Sequence, residues 1–186
     1  MTTETPGSAR TTPNAAPAKL GLAQVVRQLV AAIDRLGPGE LAQLRRGEPT
    51  DPARPAFWRL LFAVVEPAGL VAAAEGERRN ADEKAWSVLC WAIATVGADQ
   101  ARGYGLGRAL RRAGVSELRF ARLLSGSPEQ LPDLIRGVIG QLASKGEPFA
   151  ATDLARLLGL GGASQDSEGV RRDLARDYFA EDRRMG

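Results

Sequence analysis

Apolar residues recur at spacings of three and four in one segment after another of this chain, and that period leaves little freedom in what it can fold into. From Leu22 the run Val25, Val26, Leu29, Val30, Ile33 and Leu36 places its apolar side chains on one helix face. The same period returns in Phe57, Leu60, Leu61 and Val64, and again in Leu131, Leu134, Ile135, Val138, Ile139 and Leu142. Strand-length runs of Val and Ile are scarce, while the helix formers Ala, Leu and Arg dominate. The expectation is an all-α fold, a compact bundle of about eight or nine helices.

Breaker residues divide the pattern. Residues 1–19 are rich in Thr, Ala and Pro without apolar periodicity, too little to offset ordering entropy, and predict a disordered tail. Gly37-Pro38-Gly39 closes the first helix, a short one follows over 40–46, and Pro49, Pro52 and Pro55 mark a connection. Pro67 and Gly69 stop the next helix, and 75–80 reads as a polar loop. The helix over 82–96 is apolar around most of its circumference, with Trp86, Leu89, Cys90, Trp91 and Ile93, and is expected at the centre of the fold. Ser127-Pro128-Glu129-Gln130 reads as a capping box for a helix reaching about Lys145. Thr152 or Asp153 is expected to cap DLARLLGL, and a last helix carries Val170, Leu174, Tyr178 and Phe179 before a polar tail, 181–186, that frays. The reading is one helical domain over 20–180, with candidate sub-bundles 20–100 and 101–180, and no internal repeat.

Several chemistries are excluded by residue type. The chain has no histidine and a single cysteine, Cys90, inside an apolar run, so most metal sites, disulfides and Ser-His or Cys-His catalysis lack their residues. Gly103, Gly105 and Gly107 have the spacing G-x-G-x-G, not that of a dinucleotide loop, and no strand precedes them. No P-loop motif occurs, and the neighbouring acids Asp82-Glu83 and Glu181-Asp182 sit at polar helix ends. The expectation is a protein that is not an enzyme and carries no cofactor or metal. With no secretory leader and no apolar run of 18 residues, it is expected in the cytoplasm and off the membrane.

Charge points to a partner class. The net charge is only +3, yet residues 100–124 hold six arginines, Arg102, Arg108, Arg111, Arg112, Arg119 and Arg122, against one acid, Glu117. At 100° per residue Arg108, Arg111 and Arg112 fall within a third of the helix circumference, opposite Leu106, Ala109, Leu110 and Ala113. Gly114 breaks this helix, and Ser116 caps a second in which Phe120, Leu123 and Leu124 share a face beside Arg119 and Arg122. A solvated structural face ordinarily mixes signs to gain i, i+4 pairs. Here acids are not interleaved, and guanidinium groups suit phosphate oxygens, so the stretch reads as a landing strip for nucleic-acid backbone.

Two separated stretches resemble the CasB family, the small subunit of the type I-E CRISPR Cascade complex. Ala42-Gln43-Leu44-Arg45-Arg46 followed by Pro55-Ala56-Phe57-Trp58-Arg59-Leu60 is similar to the family's paired-arginine turn and aromatic helix. Leu106-Gly107-Arg108-Ala109-Leu110, then Ser116-Glu117-Leu118-Arg119, resembles its L-G-R-A-L and the E-x-R that follows. The chain departs from the family's pattern near its C-terminus, where basic charge returns only at Arg171 and Arg172 after the neutral-to-acidic stretch 161–169. The resemblance implies a non-catalytic subunit, present in two copies beside the other Cascade subunits and the guide RNA, that holds target and displaced DNA strands in the R-loop during interference. By the matched motifs the candidate nucleic-acid contacts are Arg45, Arg46, Arg108 and Arg119; Arg111, Arg112 and Arg122 are added by helix geometry.

Two other readings compete. TDLARLLGL and VRRDLARDYF resemble the halves of a helix-turn-helix regulator, although about nine residues separate Leu160 from Val170 where three or four are usual. An adaptor that binds only protein, its arginines meeting acidic partners, is the other.

Overall fold

The computed structural model describes residues 20–72, 75–162 and 167–185, with side chains through Glu181. Nine α-helices are present among them: α1 Leu22–Asp34, α2 Pro38–Arg45, α3 Pro55–Leu60, α4 Glu77–Val96, α5 Leu106–Arg112, α6 Glu117–Ser125, α7 Leu131–Lys145, α8 Ala151–Leu157 and α9 Ser167–Met185. Among the described residues there is no strand, only an isolated antiparallel bridge between Arg102 and Ala150. The expected tail 1–19 lies outside the described residues, as do the side chains of 182–186.

The core is one contiguous cluster running from Val25 to Tyr178. Helix α1 packs on α8, and α4 packs on α1, α2, α7 and α8, so the halves on either side of residue 100 share this core. The apolar helix stands at the centre as its composition requires, with Trp86 fully buried and Trp91 nearly so. Trp86 Nε1 donates to the Leu70 carbonyl at 3.3 Å, which satisfies the indole in an apolar setting. Burial pushes the Cys90 thiol up to about 12, so it is inert filler.

Local differences from the expected elements have identifiable causes. Helix α4 begins at Glu77, so most of the expected loop over 75–80 is its first turn; Arg79 bridges to Glu83 and to Glu66, and Arg78 to Asp82. Helix α7 begins at Leu131, after a turn over 128–130, because Pro132 lacks the N–H that would continue the ladder back to Pro128. One half of the expected capping box is present there, Gln130 Oε1 accepting the Ser127 N–H at 3.4 Å. Asp153 does not cap its own helix, which starts at Ala151; its Oδ2 accepts the Leu106 N–H at 3.0 Å and so caps α5. Phe179 is 44% exposed, whereas Val170, Leu174 and Tyr178 are buried as expected. Glu181, assigned by sequence to the fraying tail, is buried.

The proline-rich connection between α2 and α3 is fixed by a residue with no obvious signal in the sequence. Arg54 is buried, and its guanidinium donates to the carbonyls of Leu44 at 2.7 Å, Pro49 at 3.0 Å and Asp51 at 3.0 Å, and to Ser87 Oγ. One planar fork thus closes the end of α2, the loop and the middle of α4 together.

Helix α5 is held to its neighbours by three alternate glycines. A Cβ at Gly103 would stand 2.5 Å from the Pro148 backbone, one at Gly105 2.0 Å from Asp177 Oδ2, and one at Gly107 2.2 Å from the Leu174 carbonyl oxygen. The backbones of α5 and α9 therefore meet at a distance only glycine permits. In α7, by contrast, a Cβ at Gly137 or Gly140 would meet nothing within 4 Å. Gly107→Ala is expected to destabilise the fold by about 1–3 kcal/mol through overpacking. Gly140→Ala is expected to stabilise it by up to about 1 kcal/mol through helix propensity. Urea denaturation of the two variants beside the parent chain checks both signs.

Candidate nucleic-acid interface

The seven candidate arginines divide into two groups once the chain is folded. Arg108, Arg111 and Arg112 lie opposite the buried side of α5, as their spacing dictates, but that side is partly covered by α9 and by the turn after α7, with Arg112 the most open of the three. Arg108 Nε lies 3.4 Å from Glu181 Oε2; Arg112 donates through Nε to Glu147 at 2.9 Å and stands 3.7 Å from Glu181 Oε1. Both guanidinium groups also lie over the Tyr104 ring, at 5.8 and 5.3 Å. Arg111 lies 5.5 Å above the ring of buried Tyr178, whose hydroxyl donates to the Val115 carbonyl at 2.6 Å.

The open basic stripe expected over these three residues is therefore not what the fold presents. Interleaved acids are absent from the local sequence because they arrive from 35 and about 70 residues away. Burial, and secondarily the neighbouring Glu181 carboxylate, push the Glu147 carboxyl above its ordinary range, and Arg112 stands between the two acids.

The other four candidates are exposed, and among the described residues none has a carboxylate partner. Arg45 and Arg46 end α2; Arg45 Nε donates to the Ala94 carbonyl at 2.6 Å, which fixes its stem and leaves its charge intact. Arg119 and Arg122 stand on α6, whose N-terminus is capped by Ser116 Oγ as expected, while Phe120 and Leu123 turn inward.

Helix α7 brings these two pairs to one surface. Arg136 donates to the Gly47 carbonyl at 3.4 Å and to Glu48 at 3.1 Å, so the turn after Arg46 lies along the first half of α7. Gln141 accepts from Arg119 at 3.3 Å and donates to the Ala113 carbonyl at 2.9 Å, placing α6 along the second half. Along that side the solvent face of α7 shows Asp133, Gly137, Gly140 and Ser144 in turn, with Lys145 one turn beyond Gln141. The result is a shallow track with a small-residue floor and arginines on either side. Arg136, Gln141 and Lys145 are additions that the sequence reading did not single out. Their off-stripe positions in α7 are readable from its period, but their proximity to Arg46 and Arg119 is not.

Arg171 donates to the Gly126 carbonyl at 3.3 Å and Arg172 pairs with Glu168, so this late basic pair is engaged within the fold. Helices α8 and α9, the halves of the helix-turn-helix reading, spend Leu154, Ala155, Val170, Leu174 and Tyr178 on the core. Among the described residues no group of three or more potential ligands is placed to hold a metal ion, and no helix is long and apolar enough to cross a membrane.

The model of the family described as CRISPR-associated protein Cse2 matches residues 40–179. The fold is similar to the crystal structure of CasB from Thermobifida fusca, with a TM-score of 0.63 and 21% identity over 84% of this chain and 97% of that one. It is likewise similar to that of M. ruber CasB, with a TM-score of 0.62 and 18% identity over 89% of this chain and 97% of that one. No curated protein sequence matches the chain.

The two arginine groups are expected to respond unequally to charge reversal. Arg108→Glu with Arg112→Glu places acids against Glu147 and Glu181 and is expected to lower stability by about 1–3 kcal/mol, less than for a fully buried pair because Arg112 is half exposed. Arg119→Glu with Arg122→Glu is expected to change it by no more than about 0.5 kcal/mol. Thermal melts of the two double variants make the comparison.

Proposed function

Because the chain belongs to the CRISPR-associated Cse2 family, a Cascade subunit family, we propose that it is a non-catalytic subunit that grips nucleic-acid backbone and stabilises DNA strands in the R-loop. The observation that carries this reading is the track over α7, where Arg45, Arg46, Arg119 and Arg122 stand exposed and, among the described residues, without carboxylate partners. A strand exchange directed by a guide is near balance, and contacts to backbone are sufficient to tip it toward the open state. Such a subunit needs charge without base readout, and exposed guanidinium groups beside a smooth helix supply that. Gly137 and Gly140 are not required by internal packing, and they let another backbone approach α7 closely.

The partners in this reading are the target and displaced strands, the other Cascade subunits with their guide RNA, and a second copy of the chain. Arg45, Arg46, Arg119 and Arg122 are the principal contacts, Lys145 extends the track, Arg136 anchors the turn after Arg46 through Glu48, and Arg108, Arg111 and Arg112 support the helices that carry it. Arg112 is the member of that second set with enough exposure to reach a strand as well.

Affinity for duplex and single-stranded DNA is expected to fall linearly with salt on logarithmic axes, with a slope of about −0.7 to −0.9 per phosphate neutralised. Arg46→Glu with Arg119→Glu should make that slope shallower by about 1 to 2 and weaken binding irrespective of sequence, while the melting temperature stays near that of the parent. Unchanged affinity and slope in this variant would remove the track from the function.

A further inference from the structure

We propose that Trp58 and Phe62 form a ledge on which unpaired nucleobases stack, next to the Arg45-Arg46 end of the phosphate track. This rests on the reading that the chain binds nucleic acid, and adds to it a contact with bases of a single strand.

The two rings are stacked on each other, with centroids 5.7 Å apart and planes 24° apart, and Trp58 is backed by buried Phe57 at 5.4 Å. Phe62 is 54% exposed, and among the described residues only Leu118 and Phe179 are comparable large apolar side chains left in solvent. Phe62 lies in a π-helical turn, Leu61–Val65, that follows α3 directly. Such turns are rare and gather at functional sites.

The surroundings of the ledge suit a base. Its exposed neighbours are Pro55, Arg59, Ala63 and Pro67. The nearby acids are engaged, Glu40 by Arg59 and Glu66 by Arg79, so the ledge is close to neutral. Phosphate-binding charge stands at its near end, because the Leu44 carbonyl accepts from Arg54, which holds the Arg45-Arg46 end of α2 against the start of α3. Trp58 lies about 6 Å further along the α3 axis than Arg54. Cations followed by aromatic faces are what a single strand requires, since every base has a π-face and stacking is tolerant of sequence.

A docked protein fits less well. Two rings offer on the order of 200 Å² of contact, against about 800 Å² per partner in a stable protein interface.

The ledge carries its own reporter, because Trp86 and Trp91 are buried and Trp58 is the more accessible of the three tryptophans. The full chain is titrated at low salt with a thymidine 12-mer and with an abasic 12-mer of equal charge, following tryptophan emission and the anisotropy of a label on the oligonucleotide. Stacking is expected to quench the emission with the thymidine strand alone and to make that strand bind about tenfold more tightly. Phe62→Leu, an exposed change that leaves the melting temperature in place, is expected to remove most of that preference while affinity for the abasic strand is unchanged.

Equal binding of the two strands with steady emission would overturn the ledge and leave the backbone reading standing. Failure to bind either strand would overturn both. If Phe62→Leu keeps the preference but loses co-purification with other Cascade subunits, the ledge is a protein contact and the proposal fails.

Discussion

The close approach of α9 to α5 is the constraint on which the rest of the basic half depends. Gly107 lets the Leu174 carbonyl come to within 2.2 Å of where a Cβ would stand, and Gly105 and Gly103 do the same for Asp177 and for the Pro148 backbone. With α9 that close, Tyr178 stacks on Phe120 at 4.0 Å and reaches Val115, tying α5, α6 and α9 into one block. Asp153 from α8 then caps α5, and the stretch 100–104 pairs with 149–151 through four backbone hydrogen bonds of 2.7 to 3.1 Å. The glycine run that superficially resembles a dinucleotide loop is thus a packing device.

The same approach divides the arginines. Bringing α9 onto α5 carries Glu181 into reach of Arg108 and Arg112, while the turn after α7 supplies Glu147. Those charges become part of the structure. Helix α6 is covered on one side only, so Arg119 and Arg122 keep their charge in solvent. On the other flank of α7, Arg54 spends its own charge holding the connection from which Arg45 and Arg46 project. In each case a buried or paired arginine sets the position of exposed ones, and the exposed ones are left for a polyanion.

The fold was largely legible in the sequence, and the candidate site only in part. Helix period, Gly and Pro breaks and the apolar circumference of 82–96 are local properties, and they placed the helices and buried Trp86 and Trp91. Boundaries failed where side chains acted across the chain. The polar start of α4 is kept helical by Arg79 bridging to Glu66, and Asp153 was drawn from its own helix to another. Among the arginines, Arg45 and Arg46 of the matched motif stand in the open with Arg119 and Arg122, whereas Arg108 and Arg111 face another helix.

What the sequence determined by itself was the helical class, the order of the breaks, the concentration of positive charge between 100 and 124, and the paired motifs that mark the family. What only the tertiary structure decided was which cations remain available. Helical periodicity states the side of a helix on which an arginine lies, but not what packs against that side. Coulomb attraction acts through space, so Glu181 neutralises Arg108 from more than seventy residues away, at a distance no reading along the chain contains.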